Sequence, residues 1–290
     1  MKNIFNTVKN NVSYFFRLIK ENYCYDDIDE SISMKFNNTS NFKIMTFNVR
    51  RDTLKDGKNN WIYRRDPIIN MIADNVPDVI CFQEVMPNVA KYLIYKLSKY
   101  YDNCGIEIFT NKDISESNFI FGEGLLIMWR KDLFKVEDER VIKLYDGRKI
   151  NLRRFIEVRL RNVINGEYIN VINTHLCHKS KDARDKSFEL LYNYVKTLNN
   201  KFYLCGDFNT SKTLENSKIS LFLTDYSYNY RKRQDETTIN FFGKSINNHI
   251  IDYIFSNDEL YMYKIITDSY GIKYLSDHYP VLNIYKYSSK

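Results

Sequence analysis

The stretch "FYLCGDFNTS" (residues 202–211) opens with four apolar residues in a row and then passes through Gly206 onto Asp207 and Asn209. A continuous apolar run of this length, broken by glycine and polar residues, predicts a short strand covered on both faces. It also places an acid and an amide at the lip of the core, with Gly206 read as the residue that lets the chain turn. Similar runs recur at 43–49, 78–85, 123–129, 168–176, 250–256 and 280–287, each read as a strand. Helical spacing is read at about 61–75, 88–99 and 181–198. Strands alternating with helices imply an α/β sandwich whose helices cover buried sheets.

The ends of these runs share a chemistry. Asn48 follows "IMTF", Glu84 follows "VICFQ", His175 follows "VINT", and Asp252 sits inside "IIDYIF", with Asp277 and His278 just before "YPV". One at a time each has an ordinary reading. Asn48 is a turn former, Glu84 a helix cap, His175 a hydrogen-bonded strand end, Asp252 a buried acid satisfied by amides, and Asp207 with Asn209 an Asx-turn. Together they are a different matter, because buried carboxylates cost several kcal/mol each unless paired or metal-bound. Carboxylates, carboxamides and imidazoles gathered at strand ends are what a hard divalent cation and an attacked phosphate require.

Composition narrows the partners. The chain has 290 residues, 44% of them hydrophobic and 27% charged, enough for one large core and an extension. Its net charge of +7 favours an anionic partner: nucleic acid, a phosphorylated metabolite or an anionic membrane face. Five scattered cysteines, with no CxxC pair, fit a reducing compartment. No run of about 18 apolar residues and no cleavable leader is visible, so a cytoplasmic location is expected. Apolar residues at 4, 5, 8, 12, 15, 16 and 19 predict a basic amphipathic helix, followed by a polar linker. Residues 1–40 are therefore read as an extension and 41–290 as the domain. A helix packed on its own domain and a membrane or protein contact through residues 1–22 both suit such a helix. All the candidate residues lie beyond it.

In order along the chain, "TFNV", "QEV", "NTHL", "GDFN", "IDYIF" and "SDHYPV" resemble the motif series of the endonuclease/exonuclease/phosphatase superfamily, which includes DNase I and exonuclease III-type nucleases. "DGKNNWIYRR" (56–65), "GEGLLIMWRK" (122–131), "RRFIEVRL" (153–160) and "HLCHKSKDAR" (175–184) are similar to its bacterial magnesium-dependent branch. The resemblance implies a four-layer α-β-β-α sandwich of two mixed β-sheets flanked by helices, with the site at one end of the sheets. It implies Mg2+ or Mn2+ held by Glu84, with Asn48 and Asp277. Asp207 would orient or deprotonate the attacking water, and Asn209 would steady the phosphate. His278, its tautomer fixed by Asp252, would bond the phosphate or carry a proton, and His175 would donate to a phosphoryl oxygen. Glu123 matches an acid that orients such a histidine, and Arg153, with Arg154 as runner-up, matches a phosphate-contacting arginine.

Two positions depart from that pattern. Ile250 stands where relatives often carry arginine, and "TINFF" (238–242) replaces T-x-H-G-F. Both flank the substrate mouth. The expected function is a monomeric metal-dependent nuclease hydrolysing phosphodiester bonds by in-line attack of water. Phosphatase or sphingomyelinase-like phospholipid phosphodiesterase activity, or a catalytically silent binding module, are the alternatives.

Overall fold

The structure is a computed structural model, and the residues it describes are 32–36, 41–107, 112–114, 116, 122–145, 153–211, 218–226, 236–244 and 249–287. The helix read near the N-terminus lies outside them. Runs such as "KIMTFN" and "VICF" form strands because both of their faces find apolar partners. Along β1 (Asn41–Asn48) and β2 (Val79–Val85), Ile44 and Cys81 face one core while Met45, Phe47, Ile80 and Phe82 face another.

Two sheets result. The first has six strands in the order β10-β11-β1-β2-β4-β3, adding β3 (Tyr101–Glu107), β4 (Gly124–Arg130), β10 (Leu260–Ile265) and β11 (Val281–Lys286). The second has five, β5-β6-β7-β8-β9: Phe134–Lys143, Arg154–Asn162, Tyr168–His175, Lys201–Asp207 and Asp252–Ser256. Both are mixed. Each contains one parallel pair, β1 with β2 and β7 with β8, among antiparallel neighbours.

Between the sheets lies a core of Ile44, Cys81, Ile127, Trp129, Val158, Val171, Tyr203, Cys205 and Ile254. Helices α1 (Trp61–Asn75) and α2 (Pro87–Leu97) cover the outer face of the first sheet through Trp61, Ile68, Ile72, Val89 and Leu93. The second is covered by α3 (Lys181–Val195) and α4 (Ile219–Asp225) through Phe188, Leu191, Val195 and Phe222. Ser180 starts α3 by accepting from the Ala183 amide at 3.2 Å, satisfying a donor left open in the first turn. Four layers follow: helices, sheet, sheet, helices.

Polar contacts also join the two sheets. Gln83 Nε2 donates to Asn173 Oδ1 at 2.8 Å, and Asn173 Nδ2 donates to the carbonyls of Phe82 and Leu126 at 2.9 and 3.1 Å. Both residues are fully buried. Amide N–H groups bonded this way find their acceptors in only one register, so they fix one sheet against the other near the ends of the parallel strands.

Gly206 has a different purpose from the one its sequence position predicts. It lies within β8, paired with Thr174 of β7, and a Cβ there would sit 2.3 Å from the Thr174 carbonyl oxygen. Close approach of two strands, not a turn, demands the missing side chain. The turn is made at Asn209, whose φ is 52°. Gly206→Ala is expected to lower the unfolding free energy by about 3 kcal/mol in urea melts, as forced overpacking does. An unchanged midpoint would show that β7 and β8 can part at no cost.

Candidate active site

The parallel pairs decide where the polar residues gather. Asn48 ends β1, Glu84 lies near the end of β2, His175 ends β7 and Asp207 ends β8, so all emerge at the same end of the sandwich. Within the second sheet His175 pairs in register with Asp207, and Asp207 with Asp252 at the start of β9. Directly opposed residues share a face, which sets these three side chains in one row. Glu84 sits where β2 shifts register against β4, with φ at 56°. A bulge of this kind re-aims a side chain out of the strand's alternation.

One oxygen is the focus. Asp207 Oδ2 accepts from Asn48 Nδ2 at 3.0 Å and lies 3.4 Å from His175 Nε2 and 3.8 Å from His278 Nε2. The other oxygen of Asp207 accepts from the Asn209 amide at 2.9 Å, so the Asx-turn is present together with the cluster. Asn209 Nδ2 donates to the Leu176 carbonyl at 3.0 Å, fastening the loops after β7 and β8 to each other. His278 Nδ1 lies 2.9 Å from Asp252 Oδ2 and 3.2 Å from Oδ1. Those two residues, 26 positions apart in sequence, are in direct contact.

Burial sets the electrostatics. Asp207, Asp252, His175, His278 and Asp277 are all at most 7% exposed. Burial pushes the Asp207 carboxyl up to about 7; the His278 charge opposes the rise and Asp252 adds to it. Burial alone would lower His278, but the Asp252 and Asp207 carboxylates hold it well above the ordinary imidazole range, as a cation. Burial and the Arg153 charge press His175 well below that range, so it is neutral. Two imidazoles about one carboxylate thus hold opposite protonation states.

A second group lies beside the first. Glu84 accepts from Asn48 Nδ2 at 3.3 Å and from the Arg51 amide at 3.1 Å. Burial would raise its pKa, yet Arg50 and the Arg51 amide hold it below the usual carboxylate value. Asp277, raised by burial, has Oδ2 3.4 Å from Arg50 Nη1. Arg50 itself is held by Asp56 at 3.1 and 3.2 Å. Glu123 lies within 3.9 Å of Arg51 Nη1 and 3.6 Å of Arg153 Nη1, so arginines, not the expected histidine, are its partners. Burial and the Glu84 charge raise it. Burial lowers Arg154, which faces Glu107 instead, so of the two candidate arginines it is Arg153 that lies beside Glu123.

Two sets of atoms could hold a cation. Asp207, Asp252 and His278 each offer an atom within 4.8 Å of the others. There His278 Nδ1 is already engaged by Asp252, while Nε2 lies 3.8 Å from Asp207 Oδ2. Glu84, Asp277 and Asn48 present oxygen donors, the class that magnesium and manganese prefer. Within that set Asn48 turns its amide nitrogen toward Glu84 and Asp207, and its oxygen accepts from the Arg50 amide at 3.0 Å.

Arg64 lies inside the stretch "DGKNNWIYRR" that carries the resemblance, but its role is not readable there. It is wholly buried in α1, and its guanidinium donates to the carbonyls of Asn59, Val49, Leu275 and Arg50 at 2.6 to 3.0 Å. It ties the loop after β1 to the segment carrying Asp277. Within a helix it reads as one more surface cation, and only its spacing with the buried Trp61 and Ile68 marks the inward face. Strain accompanies this scaffold: Arg50, Glu84 and Asn209 all have positive φ, 52° to 57°. Such residues cost of order 1–3 kcal/mol each, and they cluster at functional sites.

Residues 45–278 match the family model described as Endonuclease/Exonuclease/phosphatase family. No curated protein matches the chain. Among solved structures, an endonuclease/exonuclease/phosphatase from Bacteroides vulgatus is 24% identical with a TM-score of 0.73, over 84% of this chain and 98% of that one. The mannosyl-6-phosphatase of Bacteroides thetaiotaomicron VPI-5482 is 23% identical with a TM-score of 0.71, over 83% and 98%. TDP2 of D. rerio, in complex with single-strand DNA product, is 17% identical with a TM-score of 0.65, over 85% and 99%. At these identities the structures establish the shared sandwich, and the family match extends from β1 to His278. On that match the chain belongs to the endonuclease/exonuclease/phosphatase family, a family of phosphoric ester hydrolases.

Proposed function

We propose that this protein is a divalent-metal-dependent phosphodiesterase acting on nucleic acid. The observation that carries the chemistry is Asp207 Oδ2, set among Asn48, His175 and the Asp252-held His278. A carboxylate raised to about 7 is matched to accepting a proton from water near neutral pH. Asn48 and Asn209 hold its two oxygens in place. The cationic His278 supplies a donor at Nε2 for phosphoryl oxygen or leaving group, and Asp252 keeps the other ring proton on Nδ1. His175, being neutral, donates a hydrogen bond without adding charge beside Arg153. Arg153 and Arg51, flanking Glu123, offer guanidinium forks to nonbridging oxygens. Mg2+ or Mn2+ bound at Glu84, Asp277 and Asn48 would neutralise charge developing on the phosphoryl group. Water supplies the nucleophile, attacking in line, and no covalent enzyme intermediate is required.

Nucleic acid is favoured over other esters by the net charge of +7 and by the rim of the site. The backbone amides of Asn240 and Phe241 donate to the Asp277 carbonyl at 2.7 and 3.1 Å, and the Phe241 ring is 48% exposed beside them. A ring there offers a base a stacking surface worth about 1–3 kcal/mol. The complex of D. rerio TDP2 with single-strand DNA product shows the same fold accepting such a strand. The mannosyl-6-phosphatase supports a second reading, phosphomonoester hydrolysis, for which the Arg51 and Arg153 pair would bind the extra charge.

The test compares kcat/KM with magnesium on single-stranded DNA, single-stranded RNA, sphingomyelin, a bis(nitrophenyl) phosphate and a nitrophenyl phosphate. A nucleic acid is expected to be the best substrate. Phe241→Ala should raise KM for it by about tenfold while leaving the small diester unchanged. Preference for the monoester, or an unaffected KM, would refute the nucleic-acid reading.

Metal binding is testable without turnover. Saturating Mg2+ is expected to raise the Tm of the wild-type chain by roughly 5 °C, and that of Glu84→Gln by far less. An equal rise in the variant would move the metal away from Glu84.

A further inference from the structure

Where α3 stops, the outer face of the second sheet changes character. Under the helix it is apolar, with Phe155, Ile172, Leu204 and Phe255. Beyond Val195 it becomes the floor of a cleft of about 250 Å³, walled on one side by the turn 197–200. Pairing across β5, β6 and β7 lays out that floor. Asp138, Arg159 and Asn170 form one row, and Arg140 and Glu157 stand in the next.

The floor is buried yet incompletely paired. Asn170 is 5% exposed; its Nδ2 donates to Glu157 Oε1 at 2.7 Å, and its Oδ1 has no hydrogen-bond partner. Glu157, 3% exposed, also accepts from the Tyr194 hydroxyl, and among the described residues no Lys or Arg nitrogen forms an ion pair with it. Arg140 is taken by Asp138 at 2.8 Å. Arg159 rests over the Tyr168 ring, forms no ion pair among the described residues, and has a buried Nε without a hydrogen-bond partner. Buried polar groups in native proteins are nearly always satisfied, so a floor of this kind calls for an occupant that both donates and accepts.

Its chemistry selects that occupant. Two carboxylates and two guanidiniums cancel in charge, which disfavours a simple anion or cation. Together with the amides of Asn170, Asn199 and Asn200, they offer planar groups able to bond vicinal hydroxyls two at a time. The volume equals that of roughly eight waters and falls below that of a drug-sized pocket. We propose that this cleft binds a single polyhydroxylated ring of monosaccharide size. It is separate from the catalytic cluster, since Asn170 lies five residues before His175 on the same strand, a distance of about 16 Å.

The experiment is saturation-transfer NMR and calorimetry on the full chain with D-glucose, D-mannose, D-ribose and the methyl α-glycosides of both hexoses, with glycerol as control. Saturable binding of at least one sugar is expected, with Kd on the order of 1 mM. Arg159→Gln and Asn170→Ala should each weaken it at least tenfold, with hydrolysis of a small phosphodiester within about twofold of wild type. Arg159, half-buried and without an ion pair, can be replaced with little risk to the fold. Equal binding of glycoside and free sugar identifies a glycan unit as the ligand, whereas loss of binding on methylation identifies a free sugar. No sugar binding above the glycerol control, or an unaltered Kd in both variants, would overturn the site.

Discussion

Asp207→Asn is expected to lower kcat of the metal-saturated protein by about 10³-fold, because it removes the proton acceptor while keeping the shape of the site. The hydrogen bond from the Asn209 amide can survive on the asparagine oxygen, so the turn that follows β8 is preserved. What disappears is the negative charge between His175 and His278 and the acceptor for Asn48 Nδ2. In the wild type the working form is the carboxylate, so the rate should climb with pH through the Asp207 titration. Burial puts that titration at about 7 without metal, and a bound cation would bring the rising limb lower.

The same substitution should stabilise the fold. A carboxyl whose folded pKa is raised contributes stability below its unfolded value of about 3.8, and loses it as pH rises toward 7. At pH 8 without metal the wild type carries the full burden of a buried, partly uncompensated charge. Asp207→Asn should then melt several degrees higher than wild type, and the difference should vanish near pH 3. A variant that is both inactive and less stable at pH 8 would point to a structural role for the carboxylate instead.

Much of this arrangement is legible in the sequence, for a physical reason. Strands buried on both faces must be continuously apolar, so "KIMTFNV", "VICFQEV" and "FYLCGDF" stand out, and their polar ends stand out with them. β3, β5, β6 and β10 escape that reading; β6, "RFIEVRLRN", is central but interleaves Glu and Arg with its apolar residues. "FKVEDERVIK" lies at a sheet edge with most of its residues exposed, and "LYMYKI" at another edge is largely exposed too, so neither forms a sustained apolar run. Edge strands need little apolar patterning and carry charge that discourages further pairing.

Residue identities were easier to read than their partners. Glu123 is part of the site, but its contact with Arg51 and Arg153 depends on how the loop after β1 meets the start of β6. The partners of Arg64 and Gln83, both inside stretches that carry the resemblance, are hidden for the opposite reason. Each lies in a segment whose type is plain, yet what matters is the carbonyls and amides that tertiary packing brings to it. Gly206 shows how one residue type answers two needs: a glycine before an acid suggests a turn, whereas the tight spot is the neighbouring strand.

Asp252→Asn is expected to cost about 10³- to 10⁴-fold in kcat, the scale seen when the acid that orients a catalytic imidazole becomes an amide. Asp252 Oδ2 and His278 Nδ1 are 2.9 Å apart and both are buried, so losing the charge also removes the main support for the imidazolium. His278 works protonated in the proposed mechanism, and activity falls as pH rises through its pKa. Lowering that pKa should bring the falling limb of kcat/KM to lower pH in Asp252→Asn, a shift that a purely structural role would not produce. His278→Ala should lose a similar factor, and adding it to Asp252→Asn should cost only a few-fold more, because the two residues act as one unit. Circular dichroism and the Mg2+-dependent rise in Tm check that each variant is folded and binds metal. Fully additive losses in folded, metal-binding variants would separate the two residues and reduce Asp252 to a buried strand acid.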